Sequence, residues 1–192
     1  MMMQNERMVI RIMKWADFNL CETKHVVLGF WLTTLNIDLE QLPKILFEKF
    51  EYKEIELNKR RNYHPERVRV DAIKGTGYSD YGDKELLAAF TQLRRAGKYI
   101  SEYRVTRDKY FYRLKKPVNQ QSCPIKLLKD KNGDYWVEGN GNHRVIMYKL
   151  MMLAEISNVA EWVRRESYDT NSKTHESIRQ KYWLNANVCD EE

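Results

Sequence analysis

The chain has 192 residues, and 33 lysines and arginines stand against 27 aspartates and glutamates, a net charge of +6 that permits an anionic partner without demanding one. An apolar content of 43% argues against wholesale disorder, and the length suits one domain with appendages and a sizeable core. Cys21, Cys123 and Cys189 are far apart and form no Cys-x-x-Cys pair, the longest apolar run (26–32) is too short to span a bilayer, and the N-terminus lacks a secretory h-region, so the expectation is a reduced, cytoplasmic protein with no membrane partner, disulfide framework or zinc site.

Residues 8–57 read as helical. Trp15, Phe18 and Leu20 lead into Val26, Val27, Phe30, Trp31 and Leu35 at spacings that follow a 3.6-residue period. Asn36 or Asp38 suits a cap, and Pro43 suits the first turn of a short helix ending at Phe50. This segment reads as a structural lead-in, or as a dimerisation or partner-docking element. Residues 58–65 are polar and basic, a connector. Residues 67–73 alternate apolar and charged side chains, a strand signal. The stretch 75–83 reads as a flexible, glycine-rich loop, either a mobile connection or a lid; its glycines do not make the dinucleotide-binding fingerprint. Asp83 suits the cap of a helix carrying Leu86, Leu87, Phe90 and Leu93, with Gly97 as its stop.

Residues 94–116 are strongly basic. Arg94, Arg95, Lys98, Arg104, Arg107, Lys109 and Arg113 interleave with Tyr99, Tyr103, Tyr110, Phe111 and Tyr112. Cations for phosphates and rings for bases are what a nucleic-acid surface needs, and DNA is the partner this segment suggests. The plainer reading is a solvated face with tyrosines packed beneath it. Residues 124–128 then read as a strand, Asn132-Gly133 as a hairpin turn and 135–137 as the returning strand. A helix is expected from Arg144 to about 154, a strand over 156–163, a break at 169–172, a last helix over 173–184 and a loose acidic tail at 190–192.

The sharpest feature is Glu138-Gly139-Asn140-Gly141-Asn142-His143-Arg144, a strand end, a glycine turn and a helix start in one stretch. Such a turn aims backbone N–H groups, the helix dipole and an arginine at one anion, so Asn140, Gly141, Asn142, His143 and Arg144 are the candidate phosphate ligands. The plainer alternative is an ordinary turn in which His143 bonds a carbonyl and Arg144 pairs with Glu138.

With the Cys123-Pro124-Ile125 strand, the Asn132-Gly133 hairpin and the Gly141-Asn142-His143-Arg144 turn in this order, the chain resembles the ParB/sulfiredoxin superfamily over roughly residues 66–163. The resemblance implies an α/β (α+β) fold, a small mixed sheet flanked by helices. The helical N-terminal extension would span 1–63, the ParB/sulfiredoxin-like domain 64–165 with a basic insertion at 98–122, and the C-terminal helix and tail 166–192. It implies that Gly141 gives close approach to a phosphate, that Asn142 and His143 place N–H groups on it, and that Arg144 clamps it. The expected cofactor is a nucleoside triphosphate, ATP or CTP, with Mg²⁺.

Asn140 stands where small-molecule kinases of the superfamily carry an aspartate, so Glu138 would have to serve as base or orient water, with His143 stabilising the phosphoryl group. Asn142 replaces the sulfiredoxin cysteine, which excludes sulfinic acid reduction by that route. The Glu-Asn-x-x-Arg motif of CTP-binding ParB proteins is missing, and the 28 residues beyond the matched region leave no room for a helix-turn-helix domain. The expectation is therefore a nucleotide-binding, ParB-like protein that hydrolyses its nucleotide and associates with DNA. A small-molecule kinase, a ParB-like nuclease (without a suitable carboxylate cluster) and a non-catalytic binding module are the alternatives. A homodimer stays open.

Overall fold

A computed structural model of the protein describes residues 48–56, 60–93, 108–166 and 171–191. They form a mixed α/β fold: β1 (Lys49–Tyr52), β2 (His64–Arg69), β3 (Ile73–Thr76), β4 (Lys84–Glu85), α1 (Leu86–Thr91), α2 (Asp108–Lys115), β5 (Ile125–Lys129), β6 (Tyr135–Val137), α3 (Asn142–Glu166), α4 (Asn171–Lys181) and β7 (Trp183–Asp190). The seven strands make one sheet in the order β2-β7-β5-β6-β3-β1-β4. β3 runs parallel to both β6 and β1, and β5 parallel to β7, while β2–β7, β5–β6 and β1–β4 are antiparallel. No helix among the described residues is long and apolar enough to cross a membrane.

The main core lies on one face of the sheet, where Val68, Ile73, Leu127, Val137 and Val188 meet α1, α3 and α4 through Phe90, Ile146, Leu150 and Ile178. Residues 145–152 of α3 are all buried, so this helix is covered on every side over two turns. Part of its cover is α2, whose Phe111 stacks on Tyr148 at 4.5 Å. A smaller cluster of Ile55, Leu128, Trp136 and Cys189, with Tyr63 packed against it, occupies the opposite face.

The β5–β6 hairpin turns at Asn132-Gly133 as its sequence predicts. Gly133 takes φ +84°, and the Asp130 carboxylate accepts the N–H groups of Asn132 and Asp134. Elsewhere the structure corrects the sequence reading. The segment 156–163 is not a strand but part of α3: no glycine or proline interrupts 142–166, and the helix runs through. The last helix ends at Lys181, and Trp183-Leu-Asn-Ala-Asn-Val-Cys-Asp190 is β7, with Leu184, Ala186 and Val188 buried at a period of two. The acidic tail is tied down: the Glu191 N–H donates to the Lys129 carbonyl, and its carboxylate meets the Lys53 ammonium at 2.7 Å.

Residues 49–52 are a strand rather than a helix end. β1 approaches β3 so closely that a Cβ on Gly75 would stand 1.9 Å from the Glu51 carbonyl oxygen. The strand expected over 67–73 is broken by a 3-10 turn, Val70–Ala72, which carries the chain from the β2 edge to β3. β1 and β7 thus join the same sheet as the strands of 64–165. The readings placed on 8–47 and on Gly97 lie outside the described residues.

Candidate functional site

β3 and β6 are neighbouring parallel strands, so their carboxyl ends deliver two connections to the same end of the sheet. The β6 connection is the 138–141 turn leading into α3. The first helical bond there runs from the Val145 N–H to the Gly141 carbonyl, so the amides of Asn142, His143 and Arg144 precede the helical ladder. The first turn carries no acid that would neutralise the positive end of the 25-residue helix dipole. Gly141 is required by close approach: a Cβ there would lie 2.9 Å from Ile125 Cγ2.

The side chains around this helix start differ in role. Asn142 is 6% exposed, and its buried Oδ1 has no hydrogen-bond partner among the described residues, a deficit of about 1–3 kcal/mol unless something satisfies it. His143 is half-buried, and its Nε2 sits 3.1 Å from the Tyr81 hydroxyl. The Arg144 guanidinium donates to the Cys123 carbonyl at 2.6 Å and to the Asn140 carbonyl at 3.3 Å, which fixes it across the mouth of the turn. Asn140 is exposed. The structure therefore brings Asn140, Gly141, Asn142, His143 and Arg144 together at one helix terminus.

The loop after β3 borders this terminus, and it is pinned at several points. Gly77 N–H and Thr76 Oγ1 both donate to the Val137 carbonyl, Tyr78 N–H donates to Thr76 Oγ1, and Lys84 Nζ donates to the carbonyls of Ser79 and Asp80. Asp83 does not cap α1. It takes φ +55° and accepts the Tyr52 N–H, while Glu85 stands at the N-cap without a side-chain bond. Tyr81 is a site neighbour that the sequence does not single out: it is one of two tyrosines, with Tyr78, in an otherwise small and polar loop.

Glu138, expected as general base, continues β6 with its side chain on the face of Trp136, Leu128 and Cys189. It is 2% exposed. Its oxygens accept from Arg61 Nε at 2.6 Å, the Tyr63 hydroxyl at 2.7 Å and Cys189 Sγ at 3.5 Å. Burial, reinforced by the bond to Glu138, pushes the Tyr63 hydroxyl well up from its ordinary pKa. Burial opposes the charge on Arg61, yet Glu138 outweighs it and the guanidinium pKa is raised. Burial and the Glu138 charge push the Cys189 thiol up to about 12. These groups form a buried ion pair with its attendant hydrogen bonds, with Glu138 turned toward Arg61 and Tyr63 rather than toward the helix start at Asn142. Arg61 and Tyr63 were read only as a polar connector, because nothing local in 58–65 reveals a partner at 138.

Of the candidate nucleic-acid contacts, Arg94, Arg95, Lys98, Arg104 and Arg107 lie outside the described residues. Lys109 and Arg113 fall in α2, where Arg113 is exposed. Among the described residues no group of three His, Cys, Asp or Glu side chains could hold a metal ion. The close approach at Gly141 and the N–H groups that precede the helical ladder fit an anion such as phosphate, whereas Asn142 Oδ1 is an acceptor and fits a donor; any Mg²⁺ would reach the site on the phosphate oxygens rather than in a protein cage. Comparison with protein-family models, curated proteins and solved structures finds no match for this chain.

Proposed function

We propose that the protein is a ParB/sulfiredoxin-like module that binds the phosphates of a nucleoside triphosphate at the 139–144 turn. One observation carries this reading: a 25-residue helix opens at Gly141 with no acid in its first turn and with the Asn142 amide buried and unsatisfied beside it. A phosphate group with its water shell is the kind of ligand that uses these features, since the N–H groups and dipole favour the anion, while Asn142 Oδ1, an acceptor, would take a hydrogen bond from a water of the shell rather than touch the phosphate. His143 and Arg144 add donors on either side. The order of strand, hairpin, glycine turn and helix supports the superfamily assignment.

Binding rather than phosphoryl transfer is favoured because Glu138 is held by Arg61 and Tyr63 on the other face of the sheet. No other carboxylate lies within the 139–144 segment. The test is a calorimetric titration with ATP, CTP and GTP, each with Mg²⁺, on the wild type and on Arg144→Ala. One nucleotide is expected to bind, and the substitution is expected to weaken it about tenfold or more, the worth of a hydrogen bond to a charged group. Thermal melts of both proteins separate that loss from unfolding. A folded wild type that binds none of the three nucleotides overturns the proposal.

A further inference from the structure

We propose that the β2–β7 edge of the sheet, at Arg67 and Trp183, is a contact site for single-stranded nucleic acid. β2 is an edge strand, and its register with β7 sets Arg67 opposite Asn185 and Arg69 opposite Trp183, so these side chains share one face. Arg69 is neutralised by Asp71 and by Glu176 at 2.7 Å. Arg67 is not. It is exposed, its guanidinium carbon lies 4.0 Å from the centroid of the Trp183 ring, and among the described residues no carboxylate pairs with it. Lys115, at the end of α2, brings a second cation to 5.2 Å from the same ring.

Arg67 also borders two surface hollows. One, of about 510 Å³, continues along Gln180 and Trp183; the other, of about 450 Å³, runs along Asn119 and Asn185. Each falls in the size range of a small-molecule site. A guanidinium seated on an indole is pre-ordered: it can stack a base on its plane and bond a phosphate along its edge. Asn185 Nδ2 is engaged by the Lys115 and Lys116 carbonyls and Gln180 Nε2 by Glu176, so their amide oxygens and the Asn119 amide are the groups left to read base edges. Glu66, which also lines the second hollow, is paired with Lys129 and Tyr135. Two hollows sharing one cation suit successive nucleotides of an unpaired strand. Duplex bases are stacked inside their helix and would not enter them, and an acidic peptide would use the charge but leave the ring and hollows idle. The edge is separated from β6 and its turn by β7 and β5, so this inference stands apart from nucleotide binding at the turn.

The test is fluorescence anisotropy of a labelled oligothymidine and of a duplex of equal length, each at two salt concentrations. The proteins are the full chain, Arg67→Glu, Arg67→Lys and, as a charge control, Lys131→Glu in the exposed hairpin. The wild type is expected to prefer the single strand. Arg67→Glu is expected to weaken it by about tenfold or more and to lower the salt slope by about one. Arg67→Lys should keep the salt slope yet lose part of the affinity, because the charge stays and the planar stack goes. Lys131→Glu should change affinity less than either. The proposal is overturned if the wild type does not bind the oligonucleotide, if Arg67→Glu binds like wild type, if the duplex binds as tightly as the single strand, or if polyglutamate competes as well as oligothymidine.

Discussion

The Tyr81 hydroxyl and His143 Nε2 stand 3.1 Å apart, with the two rings edge to face at a centroid distance of 5.8 Å. This pair joins the loop after β3 to the first turn of α3 and fixes the imidazole at the mouth of the 139–144 turn. Tyr81→Phe keeps the ring and deletes the bond. The expected stability loss is about 0.5–1.5 kcal/mol by urea unfolding. Nucleotide affinity should fall several-fold in the same variant, because His143 loses its orientation. An unchanged affinity beside lowered stability would restrict Tyr81 to a structural role.

Arg61 and Glu138 meet at 2.6 Å with side-chain exposures of 11% and 2%. Arg61→Ala leaves a buried carboxylate without its cation and should lower unfolding free energy by about 3–5 kcal/mol. Replacing both partners with apolar residues, Arg61→Met with Glu138→Leu, should recover most of that loss. Recovery would mark the pair as a structural device rather than catalytic machinery; chemical denaturation of the wild type and both variants decides it.

Cys189 and Cys123 should differ sharply in reactivity. Cys189 is buried, and its thiol is pushed up to about 12 by burial and by Glu138, whereas Cys123 is exposed. Alkylation at pH 8 with peptide mapping should label Cys123 quickly and Cys189 only after unfolding. The linkage has a definite sign. The unfolded chain releases the Cys189 proton near the ordinary thiol pKa of about 8.5 while the folded chain retains it, so stability falls as pH rises above that value. Cys189→Ala should flatten the alkaline limb of the stability profile.

Asp130 gathers the β5–β6 hairpin. Its carboxylate accepts the Trp136 indole N–H at 2.9 Å and two backbone N–H groups, with Lys53 at 3.6 Å. Burial pushes its pKa up, but the Trp136 bond, the backbone donors and Lys53 outweigh this and hold it below the ordinary carboxylate value. Its contribution is therefore present above the unfolded aspartate value near 4, begins to fall below it, and is lost as pH falls through the lower folded value. Asp130→Asn should remove about 1–2 kcal/mol at pH 7 and a smaller amount at pH 2, measured by urea unfolding at both values.

The elements readable from sequence are those fixed by local chemistry. The Asn132-Gly133 hairpin needs only the positive φ that glycine accepts, and the start of α3 is announced by Gly141. What stayed hidden depends on distant partners. Residues 49–52 become a strand because β3 and β4 flank them, and Lys49-Phe50-Glu51-Tyr52 has too short an alternation to reveal it. Glu138 suggests a base in sequence because it stands two residues before Asn140, the position where the superfamily's kinases carry an aspartate. Its role is set instead by Arg61 and Tyr63, more than seventy residues earlier. Asn140 to Arg144 sit together at the start of α3 because they are consecutive in the chain, whereas the loop partner Tyr81 is not identifiable from sequence, since a ring in a glycine-rich loop has many other uses.

β7 lies between β2 and β5 and pairs with both over most of its length. Without residues 183–190 the strands that precede them cannot make a continuous sheet: β2 has no neighbour, and β5 has one side open. Closure therefore waits for pairings that span more than a hundred residues, from His64 to Val188. Such late, non-local zipping slows the search for the native state and leaves an open strand edge exposed to other chains in the meantime. A synthetic peptide of the β7 sequence, added during refolding, would compete for that gap.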